Sequence, residues 1–255
     1  MTNIVAIVKM VPDLVEELKI NESGTGLDRD WLRLIINELD NHAIEQAILL
    51  KERVGGEVTV IAHEAEGAED MLFTTAAKGA DRLIKLSGDF EDGINNHALA
   101  RAFAEITKTI QPDLILTGVQ ANDDMDGPVG PLVAEQLGMP YIGYISGIRI
   151  KGDKASVRKE HPGGLIAEME VNLPAVLGIQ SSEEPPRYVA ISKVRQMIKT
   201  ATIEELEFPV LDSSGGISVN RMYLPEVAEK ANMIEGDEEQ IAAELVAIFK
   251  EVGAI

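Results

Sequence analysis

The chain of 255 residues contains no cysteine. Disulfides, thiolate nucleophiles, cysteine-ligated zinc and iron–sulfur clusters are excluded, so any redox chemistry must rest on a bound organic cofactor. Aromatic residues make up only 4% of the sequence, so aliphatic side chains and alanine must build the core that a 45% hydrophobic content allows. Basic residues are scarce: 23 Lys and Arg stand against 43 Asp and Glu, for a formal charge of −20. A surface of that sign repels nucleic acid and anionic lipid, and suits solubility or a basic partner. No apolar run approaches the roughly 18 residues of a membrane span. The opening MTNIVAIVKM, closed by Lys9, is too short for a signal core and reads as a strand. A soluble, cytoplasmic protein is predicted, with no direct membrane insertion and no nucleic-acid partner.

Several chemical motifs are also missing. No GxGxxG follows the first strand, and there is neither a GxxxxGK[ST] loop nor a GxSxG elbow. The four histidines, His42, His63, His97 and His161, include no pair with metal-ligand spacing, so no metal site is assigned. The run SSGGIS at 213–218 lacks the aspartate of an ATP-pyrophosphatase loop and reads as a linker.

What is present alternates. IVAIVKM reads as a buried strand and NESGTGLDRD as a loop. NELDNHAIEQAILLKER then places Leu39, Ala43, Ala47 and Leu50 on one helical stripe. Asn37 is a candidate N-cap for it, with Asp40 as an imperfect capping-box partner. EVTVIAHE, RLIKL and PDLILTG read as further strands, separated by helices over 66–78 and INNHALARAFAEITKTI. Repeated strand–helix units with continuous apolar strands predict an α/β fold, a mostly parallel sheet with helices on both faces. From Tyr141 the runs shorten and alternate between GD and PGG, which predicts an antiparallel extension. A proline-broken loop and a short helix follow. DEEQIAAELVAIFKEVG is an amphipathic helix whose apolar face must pack back or dock on a partner. The expected organisation is a nucleotide-binding-like domain over 1–195 and a C-terminal arm over 196–255.

The candidate site is GVQANDDMDGPVG at 118–130, a glycine-bearing corner between a strand and a helix. Such corners take phosphate on backbone N–H groups, here those of Gly127, Val129 and Gly130, with Pro128 or Pro131 in the first turn. The aspartates would then point away or cap the helix. The same run could hold a hard cation through Asp123, Asp124 and Asp126, or be a capped turn with no ligand. Lys9 and His63 end their strands where open α/β sheets bind ligands. Together they would present a basic element to the crevice.

VKMVPD at 8–13, NELDNHAIEQAILLKE at 37–52, KGADRLIKL at 78–86, PDLILTGVQANDDMDGPVG, and LPAVLGI followed by EPPRYV stand in one order. In that order they resemble the beta subunit of electron-transfer flavoproteins, over about residues 3–207. The resemblance implies an adenine-nucleotide-hydrolase-like fold and a heterodimer with an alpha subunit carrying FAD. It implies electron transfer between acyl-CoA or other flavin dehydrogenases and a downstream acceptor, a membrane quinone oxidoreductase among the candidates. It implies AMP in the beta site, or, in electron-bifurcating members that oxidise NADH, a second FAD there. A stand-alone adenine-nucleotide sensor of the same fold is the alternative. By the same resemblance, Ile7, Val8, Lys9, Asn37, His63, Gln120, Asp123, Gly127, Val129 and Gly130 would surround the nucleotide. Leu14 and Leu39 would face the alpha subunit's flavin, and Ile191, within a recognition loop over 187–199, would dock on a dehydrogenase. No catalytic residue is expected, because electron transfer needs flavins held close rather than an acid–base pair. Pro128 removes an N–H from the phosphate turn and Asp124 adds a carboxylate, which predicts a weakened or empty AMP site, or a dinucleotide held mainly elsewhere.

Overall fold

A computed structural model describes residues 2–88, 94–208, 212–225 and 233–255. The first half alternates as expected in β1 (Thr2–Val8), α1 (Glu38–Val54), β4 (Gly56–His63), α2 (Ala68–Lys78), β5 (Arg82–Ser87), α3 (Asn96–Ile110), β6 (Leu114–Gly118) and α4 (Val129–Leu137), and adds between β1 and α1 a two-stranded ribbon of β2 (Met10–Pro12) and β3 (Leu34–Ile36) that the sequence pattern does not predict. The second half contains β7 (Tyr141–Lys151), β8 (Lys154–His161), β9 (Leu165–Asn172), β10 (Ala175–Ile179), α5 (Ile191–Thr200), β11 (Ile203–Glu207) and α6 (Glu238–Glu251).

The main sheet has nine strands in the order β11-β5-β4-β1-β6-β10-β7-β8-β9. Pairing is parallel from β11 to β7 and antiparallel from β7 to β9. β1 therefore lies at the reversal point: the chain leaves it for β4 and β5 on one side and returns to β6 on the other. Strand alternation sorts the core. Ile4, Ala6 and Val8 pack with α1 and α2 residues such as Ile44 and Leu72, whereas Val5 and Ile7 pack with α3 and α4 residues such as Phe103 and Val133. Each face of the sheet is thereby covered, which is why the central strands read as unbroken apolar runs.

Two elements depart from the sequence reading. Ala175–Ile179 falls in the stretch taken as antiparallel, yet β10 is a central strand parallel to both β6 and β7. Its five residues are all buried, without the alternation of a strand that has one wet face. Residues 203–207 show no clean periodicity but form edge strand β11 on β5. An exposed edge needs only Ile203 and Leu206 turned inward, too short a pattern to read. The DSSGGIS stretch, expected as a flexible link, is tied to α3 in part: Arg101 donates to the carbonyls of Asp212 and Ser214, and Asn95 to that of Ser213.

Close contacts divide the chain into units 1–221 and 222–255. In the second unit, α6 begins with a full capping box between Asp237 and Gln240 and has no buried residue. Among the described residues, no helix is long and apolar enough to cross a membrane.

Candidate functional site

The carboxyl ends of β1 and β6 meet where strand order reverses, the usual ligand crevice of an open α/β sheet. α1 is joined there by a carboxylate. Asp40 accepts the backbone N–H of Lys9 at 2.9 Å and that of Gly118 at 2.7 Å, so one side chain satisfies two strand-end donors that have no sheet partner. Gly118 is required by this arrangement, since a Cβ there would lie 2.6 Å from Asp40 Oδ1. Burial pushes the Asp40 carboxyl up to about 7, against the opposing pull of the Gly118 and Lys9 N–H groups.

The expected capping box does not form. Asn37 occupies the N-cap position of α1 but makes no side-chain cap bond; its Nδ2 donates to the Gln120 carbonyl at 2.9 Å. Asp40 is committed to the strand ends. Both side chains are drawn across the crevice because buried N–H and C=O groups there need partners more than the solvent-facing helix end does.

Lys9 does not offer a free basic element to the crevice. Its side chain is 7% exposed, and its ammonium meets Asp123 at 2.8 Å, Asp124 at 3.0 Å and Asn96 Oδ1 at 3.1 Å. Burial alone would lower its pKa, but Asp123 and Asp124 outweigh burial and leave it above the ordinary lysine value. His63 at the end of β4 donates its Nδ1–H to the Glu64 carbonyl at 2.9 Å, and burial holds its pKa below the usual value. The aspartates do not cap α4. Asp124 accepts from Ala121 N at 2.7 Å and Asn96 Nδ2 at 2.6 Å, and Asp126 accepts from Asn96 N at the start of α3. They serve Lys9 and the positive end of α3 instead. Among the described residues, no group of three His, Asp or Glu side chains could hold a metal ion.

A cavity of about 20 Å³ lies at this corner. Of the residues expected around a nucleotide, Ile7, Val8, Lys9, Asn37, Gln120 and Val129 line it. Asp123 reaches it through Lys9, whereas the Gly127 carbonyl accepts from Asn96, and neither Asp123 nor Gly127 lines the cavity. Gly130 packs on Thr117, where a Cβ would come within 2.6 Å of the hydroxyl. Leu14, Leu39 and Ile191 do not line the cavity; Leu14 and Ile191 are 64% and 65% exposed. Sequence reasoning passed over Thr117, Phe103, Asn96 and the true role of Asp40. Asp40 carried a signal, as an acid three residues before Ala43 in line with the apolar stripe, but Asn96 carried none, since only the packing of α3 brings it to Lys9.

An electron transfer flavoprotein domain matches residues 26–211. The chain belongs to the electron transfer flavoprotein family. It is 33% identical over 260 residues to the electron transfer flavoprotein subunit beta of Methylophilus methylotrophus, covering 97% of this chain and 98% of that protein. It is 34% identical to the subunit beta of Thermoanaerobacterium thermosaccharolyticum over 80% of each chain, and 30% identical to that of Bacillus subtilis over 97% of each. The similarity to electron transfer flavoprotein beta subunits therefore spans nearly the whole chain. Their family is one of flavoproteins, so the corner can be tested against a flavin or adenine nucleotide. As folded it does not fit a phosphate. The donors that would bind one, Lys9 Nζ, Asn96 Nδ2 and Ala121 N, are committed to Asp124, and the cavity has room for about one water molecule.

Proposed function

We propose that the chain is the beta subunit of a heterodimeric electron transfer flavoprotein that carries electrons between flavin dehydrogenases and a downstream acceptor. The similarity over almost the full length of both chains to proteins named subunit beta carries this reading. FAD, held mainly on the alpha subunit, supplies the redox chemistry. This chain contributes surfaces. Leu14 and Leu39 border the partner's flavin, and α6, with its apolar stripe of Leu245, Ile248, Phe249 and Val252 facing solvent, docks on the alpha subunit as part of the C-terminal arm. Ile191 and Tyr188, 65% and 86% exposed, anchor a dehydrogenase at the start of α5. The cationic neighbours Lys193, Arg195 and Lys199 suit an acidic partner surface. A second FAD in the beta subunit would need a diphosphate at the corner described above, so the plain electron carrier is favoured over the bifurcating form.

The test is co-expression with an alpha subunit. A purified heterodimer with one FAD, reduced by an acyl-CoA or related flavin dehydrogenase, supports the assignment. A pure heterodimer that never carries FAD refutes it, and a homodimer with bound ATP or AMP and no flavin would mark a nucleotide sensor.

A further inference from the structure

We infer that Asp124 is an internal anion that decides ligand specificity at the β1–β6 corner: its carboxylate stands where a nucleotide phosphate would bind and keeps phosphate out. Three donors converge on this one side chain, and a further contact links two of them. Lys9 Nζ approaches Oδ1 at 3.0 Å, Asn96 Nδ2 donates to Oδ1 at 2.6 Å, Ala121 N donates to Oδ2 at 2.7 Å, and Lys9 is itself held by Asn96 Oδ1 at 3.1 Å. An ammonium, an amide and a backbone N–H at the head of a strand–turn–helix corner form a phosphate-binding donor set. Here the chain fills that set with its own carboxylate. Asp124 is only 10% exposed, so the substitution is internal and well shielded from solvent.

Charge points the same way. One lysine faces both Asp123 and Asp124, and Asp126 stands beside them on the Asn96 N–H, so an arriving phosphate meets surplus negative charge in a poorly screened place. Two buried oxygens at the same corner, Thr117 Oγ1 and Asp126 Oδ2, have no hydrogen-bond partner among the described residues. Thr117 also lines the cavity. The corner thus keeps a polar wall for a ligand while its anion seat is taken. Apolar Ile7, Val8 and Val129 complete that wall.

The inference depends on the proposed function only in choosing AMP as the probe. Heterodimer is prepared as wild type, Asp124→Gly and Asp124→Asn, the last keeping the shape and part of the hydrogen bonding. Released nucleotides are quantified after denaturation, and each protein is titrated with AMP, adenosine and inorganic phosphate by calorimetry. Wild type should release FAD with no more than trace AMP. Both variants should bind AMP at least about tenfold more tightly than wild type, with little change for adenosine, and Lys9→Gln in the Asp124→Gly background should abolish the gain. Stoichiometric AMP in wild type overturns the inference, as does a folded Asp124→Asn heterodimer with unchanged AMP affinity. FAD content of the same preparations reports separately on the flavoprotein assignment.

Discussion

A buried carboxylate between two strand ends shows how much depends on single residues here. Asp40 joins α1 to the ends of β1 and β6 through the N–H groups of Lys9 and Gly118. Its folded pKa of about 7 lies above the ordinary aspartate value of 3.8, so the folded chain holds a proton that the unfolded chain releases at lower pH. The stabilisation from this group is therefore full below about pH 4 and is lost as pH rises through about 7, with a slope of up to about 1.4 kcal/mol per pH unit. Asp40→Asn removes that titration and leaves one of the two N–H groups unpaired, at a cost of about 1–3 kcal/mol. In urea denaturation from pH 4.5 to 7.5, the stability gap between wild type and Asp40→Asn should narrow as pH rises. A gap that stays constant over that range would show that the carboxyl titrates normally. Lys9 carries the complementary lesson. Read alone, a lysine after the first strand suggested a cation for a ligand, but Asp123 and Asp124, more than a hundred residues away, had already claimed it.

At the scale of elements, the segment leading into α5 is fastened to α1 by polar contacts rather than by a core. His42 meets Ser182 at 2.8 Å, Gln46 accepts from Glu183 N at 3.0 Å, and Arg53 pairs with Glu183. The strongest clasp is Arg187, which bonds Glu45 at 2.8 Å and Glu52 at 2.6 Å. These carboxylates hold the guanidinium above its ordinary pKa, with Glu52 the larger influence. Glu45 is 2% exposed in its side chain, so Arg187→Ala would strand a buried charge. A loss of about 3 kcal/mol is expected, the low end of the range for a broken buried pair, because Lys78 also lies within electrostatic reach of Glu45. Chemical denaturation checks this, and Arg187→Lys should recover only part of the loss, since an ammonium lacks the guanidinium fork. α1 itself was legible: Ala43, Ala47 and Leu50 recur at helical spacing and all are buried. Its polar side was not, because Glu45, Gln46 and Asp40 look like solvent-facing residues until residues 182–187 and the strand ends cover them.

At the scale of the whole molecule, an acidic chain carries two amphipathic helices with no buried residue, α5 and α6. The proposed heterodimer gives α6 its partner. Leu245→Glu combined with Phe249→Glu should lower recovery of alpha subunit in co-purification at least about tenfold, as expected when apolar anchors become charged, without changing the unfolding of unit 1–221. Unchanged recovery would place the docking surface elsewhere. The sequence by itself determined the α/β class, the order of helices and main-sheet strands in the first half, the antiparallel run from β7 to β9, and membership of a flavoprotein family, because hydrophobic period and short motifs are local properties of the chain. It also singled out the corner at 118–130 as the candidate site. Tertiary structure alone decided that β10 is central, that β11 closes the sheet edge, and that the corner's donors are already filled. Those outcomes depend on partners far apart in sequence, Lys9 with Asp124, Asn96 with Gly127, Asp40 with Gly118, and no local pattern records which buried donor will find which acceptor once the sheet has closed.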